Sequence, residues 1–253
     1  MKIKWSGLAD ANYYEYIAKY CLPSWENLPG EKYIVHDKDL ITLPFLNIVD
    51  EHSVLNLDSP FKQMERERKK TNNFWRKMQS QVWAVRNIKD CDFLILLDTD
   101  IEVFDFNFEK LKESIIEFKE TNYVWASGMS QRNGHDSGFI IFNMHHPDLN
   151  TLIDEYENIW NSGRIYELEK SYDGHAVESM FNKWPSYKLK NIDWGDGFHV
   201  YHGEGLVHYG SVIPKQLRSQ FVGTGIDLVK KYTENKIIKP FKDSYLGKTR
   251  NQI

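Results

Sequence analysis

The chain has 253 residues, of which 32 are basic and 36 acidic, and its formal net charge is −4. This length suits one large domain, and a content of 41% hydrophobic and 27% charged residues excludes disordered, collagen-like and coiled-coil chains. The acidic balance argues against non-specific binding of nucleic acid, which usually needs a basic surface. Aromatic residues make up 14% of the chain, so part of them must fill the core, and the rest suggest a surface for planar or sugar-like ligands.

Strands and helices alternate over the first two thirds of the sequence. We predict strands at residues 2–5, 32–36, 93–97, 123–127 and 138–143. We predict helices at residues 11–21, 74–89, 108–118, 147–160 and 176–184, with Pro23 ending the first and Gly163 closing the fourth. Residues 40–60 have no clean period and predict a long connection, whereas the charged residues 65–70 are either a solvated helix start or a loop. Residues 194–210 predict loops and short strands.

The segment 93–97 (FLILL) is an unbroken apolar run. Such a run is typical of a strand that is covered on both faces, as in a parallel sheet. Together with the alternation of strands and helices, it predicts a single α/β domain whose central sheet is mainly parallel and flanked by helices. The last 25 residues hold seven Lys or Arg against two acids, so we expect a basic tail that forms a lid or a peripheral patch.

The sequence also bears on location. Cys21 and Cys91 form no closely spaced pair, which favours a reducing compartment, and we expect the protein to be cytoplasmic. The first seven residues lack an apolar stretch after their basic residues, so no signal peptide is expected. The longest apolar run is far shorter than the roughly 20 residues of a membrane helix, so no transmembrane segment is expected and any membrane contact would be peripheral. The oligomeric state stays open.

Two acids follow the apolar strand, in the string Asp98-Thr99-Asp100. Ligands of open α/β sheets bind outside the carboxyl ends of the strands, so these carboxylates lie where a ligand is expected. Carboxylate oxygens suit hard cations such as Mg²⁺ and Mn²⁺. The alternative is a solvated strand end with a helix cap, because two acids so close occur often by chance. Their position directly after an apolar strand favours the functional interpretation.

Four strings carry a resemblance to a known family: FWRK at residues 74–77, LLDTDIEVF at 96–104, DSGFIIFN at 136–143 and LVHYGS at 206–211. In order and type they resemble the GT-A-fold glycosyltransferases of the glycogenin and bacterial galactosyltransferase type, in which an Asp-X-Asp motif ends a central strand. The resemblance covers roughly residues 1–215. It implies one GT-A catalytic domain over residues 1–253, with a nucleotide-binding half at 1–105, an acceptor-side half at 106–215 and a basic tail at 216–253.

The resemblance also implies a metal site and a donor site. Asp98 and Asp100 would hold Mn²⁺ or Mg²⁺ together with His208, for which His199 and His202 are competitors. The donor would be a nucleotide sugar, with UDP as the commonest nucleotide among the similar proteins and GDP as the alternative. The residues implied to contact this donor are Asp10, Tyr14, Asp37, Lys77, Asp98, Thr99, Asp136, Ser137, Gly138, Gly210 and Lys215.

These donor contacts fall into groups. Lys77 and Lys215 would offset the charge of the diphosphate, and Asp136 and Ser137 would bind sugar hydroxyls. The first strand and helix would hold the nucleobase, and Thr99 would be a small polar spacer between the two acids.

The catalytic base is less clearly indicated. Retaining members of the family often carry an Asp-Gln or Glu-Gln pair at a helix start, but the comparable residues 172–178 (YDGHAVE) lack the Gln, which leaves the stereochemical outcome open. An inverting enzyme needs one general base, and Asp173 and Glu178 are the candidates. The alternative role for Asp173 is a helix N-cap, a position that favours Asp.

We therefore interpret the chain as a glycosyltransferase that acts on a carbohydrate or other hydroxyl acceptor, with the aromatic residues between Trp184 and Tyr209 as the acceptor surface. The first alternative is a sugar-phosphate nucleotidyltransferase, which would usually carry a Gly-rich basic loop that the N-terminus lacks. The second is a non-catalytic carbohydrate-binding protein, which would explain the aromatics but not the acid pair. A metal-dependent nuclease or phosphatase is disfavoured by the net charge.

Overall fold

The computed structural model describes residues 1–9, 14–36, 41–56, 66–103, 108–120, 123–128, 136–185, 188–192, 200–201 and 206–208. The strands within these ranges are β1 (Ile3–Leu8), β2 (Glu31–His36), β3 (Leu46–Asp50), β4 (Phe93–Leu97), β5 (Ile101–Val103), β6 (Trp125–Gly128), β7 (Asp136–Asn143), β8 (Leu189–Ile192), β9 (Val200–Tyr201) and β10 (Leu206–His208). The α-helices of four or more residues are α1 (Glu51–Val54), α2 (Arg66–Asn87), α3 (Phe108–Glu120), α4 (Leu149–Asn161) and α5 (Asp173–Lys183). Short helical turns cover Tyr14–Ala18, Lys19–Cys21, Leu22–Asn27 and Arg164–Tyr166.

The main sheet has seven strands in the order β3-β2-β1-β4-β7-β6-β8. All of its strands run parallel except β7, which is antiparallel to both neighbours, β4 and β6. A separate small sheet joins β5, β10 and β9 in antiparallel pairs. The prediction of an α/β fold with a mainly parallel central sheet is thus confirmed.

Each face of the main sheet packs into its own apolar cluster. Alternate residues of β4 divide between the two clusters, because Ile95 and Leu97 point into one and Leu94 and Leu96 into the other. The first cluster includes residues of the helical turns after β1 and of α3, and the second is built with α2, α4 and α5. All five residues of β4 are buried, as the unbroken apolar run predicts.

Buried aromatic rings account for part of the high aromatic content. Trp5, Trp25, Trp125 and Trp160 are each completely buried. The Trp125 ring meets that of Tyr156 edge-on, with the centroids 5.6 Å apart. These rings therefore serve the core, since a large ring removes much apolar area from water.

Several predicted boundaries are wrong. Residues 40–60 are not one long connection, because they contain β3 and α1. The first helical segment does not end at Pro23, because a 3₁₀ turn follows at Leu22–Asn27. Pro23 lies at the start of this turn, where its missing N–H breaks no helical hydrogen bond. Helix α5 begins at Asp173, three residues before the predicted start, and β5 and β8 were not predicted. The charged residues 65–70 were read as a helix start or a loop, and α2 indeed begins at Arg66.

Cys21 and Cys91 form no disulfide, and both are buried. Burial raises the pKa of the Cys91 thiol to about 11, so this group stays protonated at neutral pH. Within the described ranges, every helix is too short or too polar to cross a bilayer.

Two glycines with positive φ offer a matched test of close packing. Gly30 has φ +84° and Gly163 has φ +80°, so an L residue is strained at both. A Cβ at position 30 would lie 2.4 Å from the Ile3 carbonyl oxygen, whereas a Cβ at position 163 would meet no atom within 4 Å.

We expect Gly163→Ala to lower the free energy of unfolding by about 1–2 kcal/mol, the cost of the left-handed conformation. Gly30→Ala should cost about 1–3 kcal/mol more, because the strand ends must also move apart. Equilibrium unfolding in urea measures both values, and equal losses would show that β1 and the turn at Gly30 are not tightly packed.

Candidate active site

The acid pair lies in a tight turn at the carboxyl end of β4. The backbone N–H of Ile101 donates to the Asp98 carbonyl at 3.0 Å and closes the turn that leads into β5. The backbone N–H of Asp98 donates to the Gly138 carbonyl at 2.9 Å, which ties the turn to β7. Asp100 is completely buried, whereas the Asp98 side chain is 23% exposed. One carboxylate of the motif thus faces a solvent-accessible space and the other lies inside the fold.

Thr99, predicted as a small spacer within the donor site, links two strand ends. Its side chain is buried, and its hydroxyl donates to the Leu8 carbonyl at 2.9 Å. The chains approach closely here, because a Cβ on Gly7 would lie 2.7 Å from the Leu97 carbonyl oxygen. The ends of β1 and β4 are therefore held side by side, directly below the two acids.

Lys77 on α2 joins two carboxylates that are far apart in the sequence. Its Nζ lies 2.6 Å from Asp98 Oδ1 and 2.6 Å from Asp173 Oδ2. Burial alone would lower the pKa of this ammonium group, but the charges of Asp173 and Asp98 outweigh that effect and raise the pKa above its usual value. Lys77 therefore stays charged throughout the physiological range.

Asp173 is the first residue of α5, and Tyr172 occupies the N-cap position. The interpretation of Asp173 as the N-cap is thus wrong by one residue. Its Oδ1 accepts a hydrogen bond from the Gly174 backbone N–H at 3.0 Å, and its other oxygen binds Lys77. The Asp173 carboxylate is therefore held between the Lys77 ammonium group and the N-terminus of α5.

Glu178, the second base candidate, is held differently. Its carboxylate lies 3.2 Å from His175 Nδ1, and its side chain is 38% exposed. The other ring nitrogen of His175 lies 3.0 Å from the Tyr172 hydroxyl. Of the two candidates, Asp173 is the one that the structure joins to Asp98.

Strand pairing brings His208 to the acid pair. Strand β10 pairs antiparallel with β5, and the register sets His208 opposite Ile101, the residue next to Asp100. The competitors His199 and His202 lie outside the described residues. Among the side chains that the structure describes, no group of three His, Cys, Asp or Glu is placed to hold a metal ion.

The other predicted donor contacts divide into three groups. Strand β7 runs antiparallel to β4, so its first residues Asp136, Ser137 and Gly138 return to the edge where β4 ends. Tyr14 packs its ring against that of His36, with the centroids 5.1 Å apart. Four residues, Asp10, Asp37, Gly210 and Lys215, lie outside the described ranges.

Trp184, the first residue of the predicted acceptor surface, packs against the core. Its indole N–H donates to Glu155 on α4 at 2.8 Å, and the ring lies against the cluster that includes α4 and α5. This contact argues against an acceptor role for Trp184.

A small cleft with room for about one water molecule lies beside Asp98. It is lined by Ser6, Gly7, Leu8, Lys77, Ser80, Gln81, Leu96, Leu97 and Asp98. The sequence analysis missed Ser80 and Gln81. They could have been found from their helical spacing, because residues three and four positions after Lys77 lie on the same face of α2.

Comparison with solved structures identifies this architecture as the GT-A fold. A solved glycosyltransferase involved in the glycosylation of the major capsid of PBCV-1 has a TM-score of 0.60 at 13% identity, covering 89% of this chain and 100% of that chain. The apo form of mouse xyloside xylosyltransferase 1 has a TM-score of 0.53 at 12% identity, covering 85% and 99%. The galactosyltransferase LgtC, in complex with donor and acceptor sugar analogs, has a TM-score of 0.51 at 11% identity, covering 90% and 99%.

No family model matches the sequence, and no curated protein matches it at a significant level. At these low identities the structural likeness establishes the fold, and the predicted GT-A fold is confirmed.

The Lys77 ion pairs make a testable contribution to stability. Lys77→Met would leave two close and largely buried carboxylates without their cation, so we expect a loss of about 3 kcal/mol in the free energy of unfolding at pH 7.

Arg86→Met is the matched control for this variant. Arg86 lies on the same helix and also bridges two acids, Asp154 and Glu157, but its side chain is 42% exposed. Exposed pairs contribute at most about 1 kcal/mol. Urea unfolding of both variants at pH 7 measures the difference, and equal losses would contradict a structural role for Lys77.

Proposed function

We propose that this protein is a metal-dependent glycosyltransferase that moves a sugar from a nucleotide-diphosphate sugar, with UDP as the nucleotide, to a hydroxyl of a glycan or other acceptor. The observation that carries the proposal is the pair of 2.6 Å contacts through which Lys77 joins Asp98 to Asp173. This cluster lies at the carboxyl end of β4, where open α/β sheets bind ligands. The GT-A fold and its glycosyltransferase neighbours support the same activity.

The donor atoms at this edge fit a hard divalent cation. Asp98 and Asp100 supply carboxylate oxygens, and the register of β10 with β5 supports His208 as the third ligand. Carboxylate and imidazole are suitable ligands for Mn²⁺, and carboxylate for Mg²⁺. Such an ion, held by these three residues, would supply Lewis-acid stabilisation of the diphosphate.

Lys77 supplies a fixed positive charge to the site. Because its pKa is raised, it acts neither as an acid nor as a base at neutral pH. Its charge offsets negative charge that develops on the leaving diphosphate, an effect that is strong in a site with little water. Lys77 also holds Asp98 and Asp173 at fixed positions, so the two carboxylates are oriented before the donor binds.

Asp173 is the carboxylate that we propose for catalysis. It is buried at the start of α5, and Lys77 and the Gly174 N–H hold its carboxylate in a fixed position. In an inverting reaction it would take the proton of the acceptor hydroxyl. In a retaining reaction it would stabilise positive charge on the sugar ring. The anomeric configuration of the product decides between the inverting and the retaining reaction. Glu178 is the alternative base in an inverting reaction.

The remaining donor contacts follow from the edge at which the strands end. We propose that Asp136, Ser137 and Gly138 bind sugar hydroxyls, because β7 starts beside the turn at Asp98. Other proposed contacts are Asp10, Tyr14 and Asp37 with the nucleobase, and Gly210 and Lys215 with the phosphates.

The proposal is tested by incubating the protein with Mn²⁺ and a panel of nucleotide sugars, with and without simple sugar acceptors, and measuring the release of free nucleoside diphosphate. We expect release with at least one UDP-sugar and little release after removal of Mn²⁺ with EDTA. If no sugar nucleotide is bound or cleaved under any condition, the proposal is wrong.

Asp100→Asn should lower the rate of release about 100-fold or more, because a lost metal ligand removes charge stabilisation of the leaving group. Asp154→Asn is the control, since Asp154 is an exposed acid on α4 that pairs with Arg86. An Asp100→Asn enzyme with the activity of the Asp154→Asn control would exclude the Asp-X-Asp motif as the metal site.

A further inference from the structure

Asp98, one of the proposed metal ligands, already holds a cation that belongs to this chain. The Nζ of Lys77 lies 2.6 Å from Asp98 Oδ1 and 2.6 Å from Asp173 Oδ2. The Lys77 side chain is only 16% exposed, so water and salt screen its charge weakly. A contact of this length between an ammonium group and a carboxylate is a charge-assisted hydrogen bond, which is a strong one. A metal ion that approaches Asp98 therefore meets a carboxylate that is already bound to a cation.

The described part of the site supplies few further ligands for a divalent cation. Asp100 is completely buried, and no three His, Cys, Asp or Glu side chains within the described ranges are grouped so that they could hold a metal ion. Mg²⁺ in enzymes that act on phosphates is usually held by few carboxylates and completes its octahedral shell with water and with phosphate oxygens of the substrate. The diphosphate of the donor can supply such oxygens.

We propose that Lys77 competes with the metal ion for Asp98, so that Mn²⁺ or Mg²⁺ binds weakly without nucleotide and firmly only together with the diphosphate. This inference rests on the proposed function. A metal ion at Asp98 either displaces Lys77 from Oδ1, which breaks the charge-assisted hydrogen bond, or shares the carboxylate with it, which sets two cations close together. The negative diphosphate offsets this cost, because it attracts both the metal ion and the ammonium group.

The coupling acts in both directions. When one ligand raises the affinity for a second ligand, the second raises the affinity for the first by the same factor. The nucleotide should therefore also bind weakly without the metal ion. The functional consequence is that the metal ion and the nucleotide sugar enter the site as a pair, and neither is held firmly there alone.

The test measures binding of Mn²⁺ to the wild-type protein and to Lys77→Met by equilibrium dialysis, first without nucleotide and then with saturating UDP. Without nucleotide, we expect Lys77→Met to bind Mn²⁺ roughly 5- to 150-fold more tightly than the wild type, the usual range for coupling between two sites. Saturating UDP should tighten Mn²⁺ binding in the wild type, and by a smaller factor in Lys77→Met, because the competing cation is already absent there.

A double variant separates the contact from the net charge. Lys77→Met combined with Asp173→Asn removes one positive and one negative charge, so the net charge of the cluster equals that of the wild type. This variant also avoids two unpaired carboxylates in a largely buried place, so it provides the test even if Lys77→Met does not fold. We expect it to bind Mn²⁺ without nucleotide more tightly than the wild type, because Lys77 no longer occupies Oδ1 of Asp98.

Arg86→Met is the matched control. Arg86 lies on the same helix and pairs with two acids of α4 at the surface, where its side chain is 42% exposed. Its loss should leave the binding of Mn²⁺ unchanged. A gain in Arg86→Met as large as that in Lys77→Met would show a general effect of protein charge and would contradict the inference.

The other outcomes are distinguishable. If neither Lys77 variant binds Mn²⁺ more tightly than the wild type, Lys77 does not compete with the metal, although the proposed function stands. If only the single variant gains affinity, net charge rather than the contact is responsible and the inference is wrong. It is also wrong if the wild type binds Mn²⁺ equally well with and without UDP. If the wild type binds no Mn²⁺ even with UDP, the inference and the proposed function both fail.

Discussion

The ion pairs of Lys77 with Asp98 and Asp173 are the interaction on which the site depends. Two carboxylates this close and this little exposed repel each other, and water screens them poorly. A single ammonium group between them removes the repulsion and at the same time ties α2 and the start of α5 to the end of β4. The same contact thus stabilises the fold and orients the acids before any ligand arrives.

Around this cluster, backbone geometry collects the remaining residues at one edge of the sheet. The Thr99 hydroxyl and the close approach at Gly7 hold the ends of β1 and β4 together. The antiparallel strand β7 returns Gly138 to the same edge, and the pairing of β10 with β5 returns His208. Residues from five segments of the chain therefore meet at one place, which is the usual ligand-binding edge of an open α/β sheet.

The parts that could be predicted from the sequence are those determined by local patterns. The bounds of β4 were correct, because a strand buried on both faces must be apolar throughout. The same reasoning missed β3, an edge strand that pairs on one side only and whose residues after Leu46 are partly or fully exposed, so that its pattern resembles a loop. Residues 40–60 were misread for that reason.

The candidate site shows the same division. The acid pair was evident, because it directly follows an apolar strand. The partnership of Lys77 with Asp173 was not, since the two residues are 96 positions apart and only the topology brings them together. Gln81 was within reach of sequence reasoning through its helical spacing from Lys77. The hydrogen bond that the Tyr156 hydroxyl donates to Gln81 was not, because it depends on how α4 packs against α2.

The most direct test of the account is to locate Mn²⁺ by anomalous X-ray diffraction in crystals of the wild-type protein grown with Mn²⁺ and UDP. The account predicts one strong anomalous peak at the carboxyl end of β4, within coordination distance of Asp98 and Asp100, with the UDP diphosphate against it. A peak at another part of the molecule, or UDP bound away from this edge with no peak beside Asp98, would contradict it.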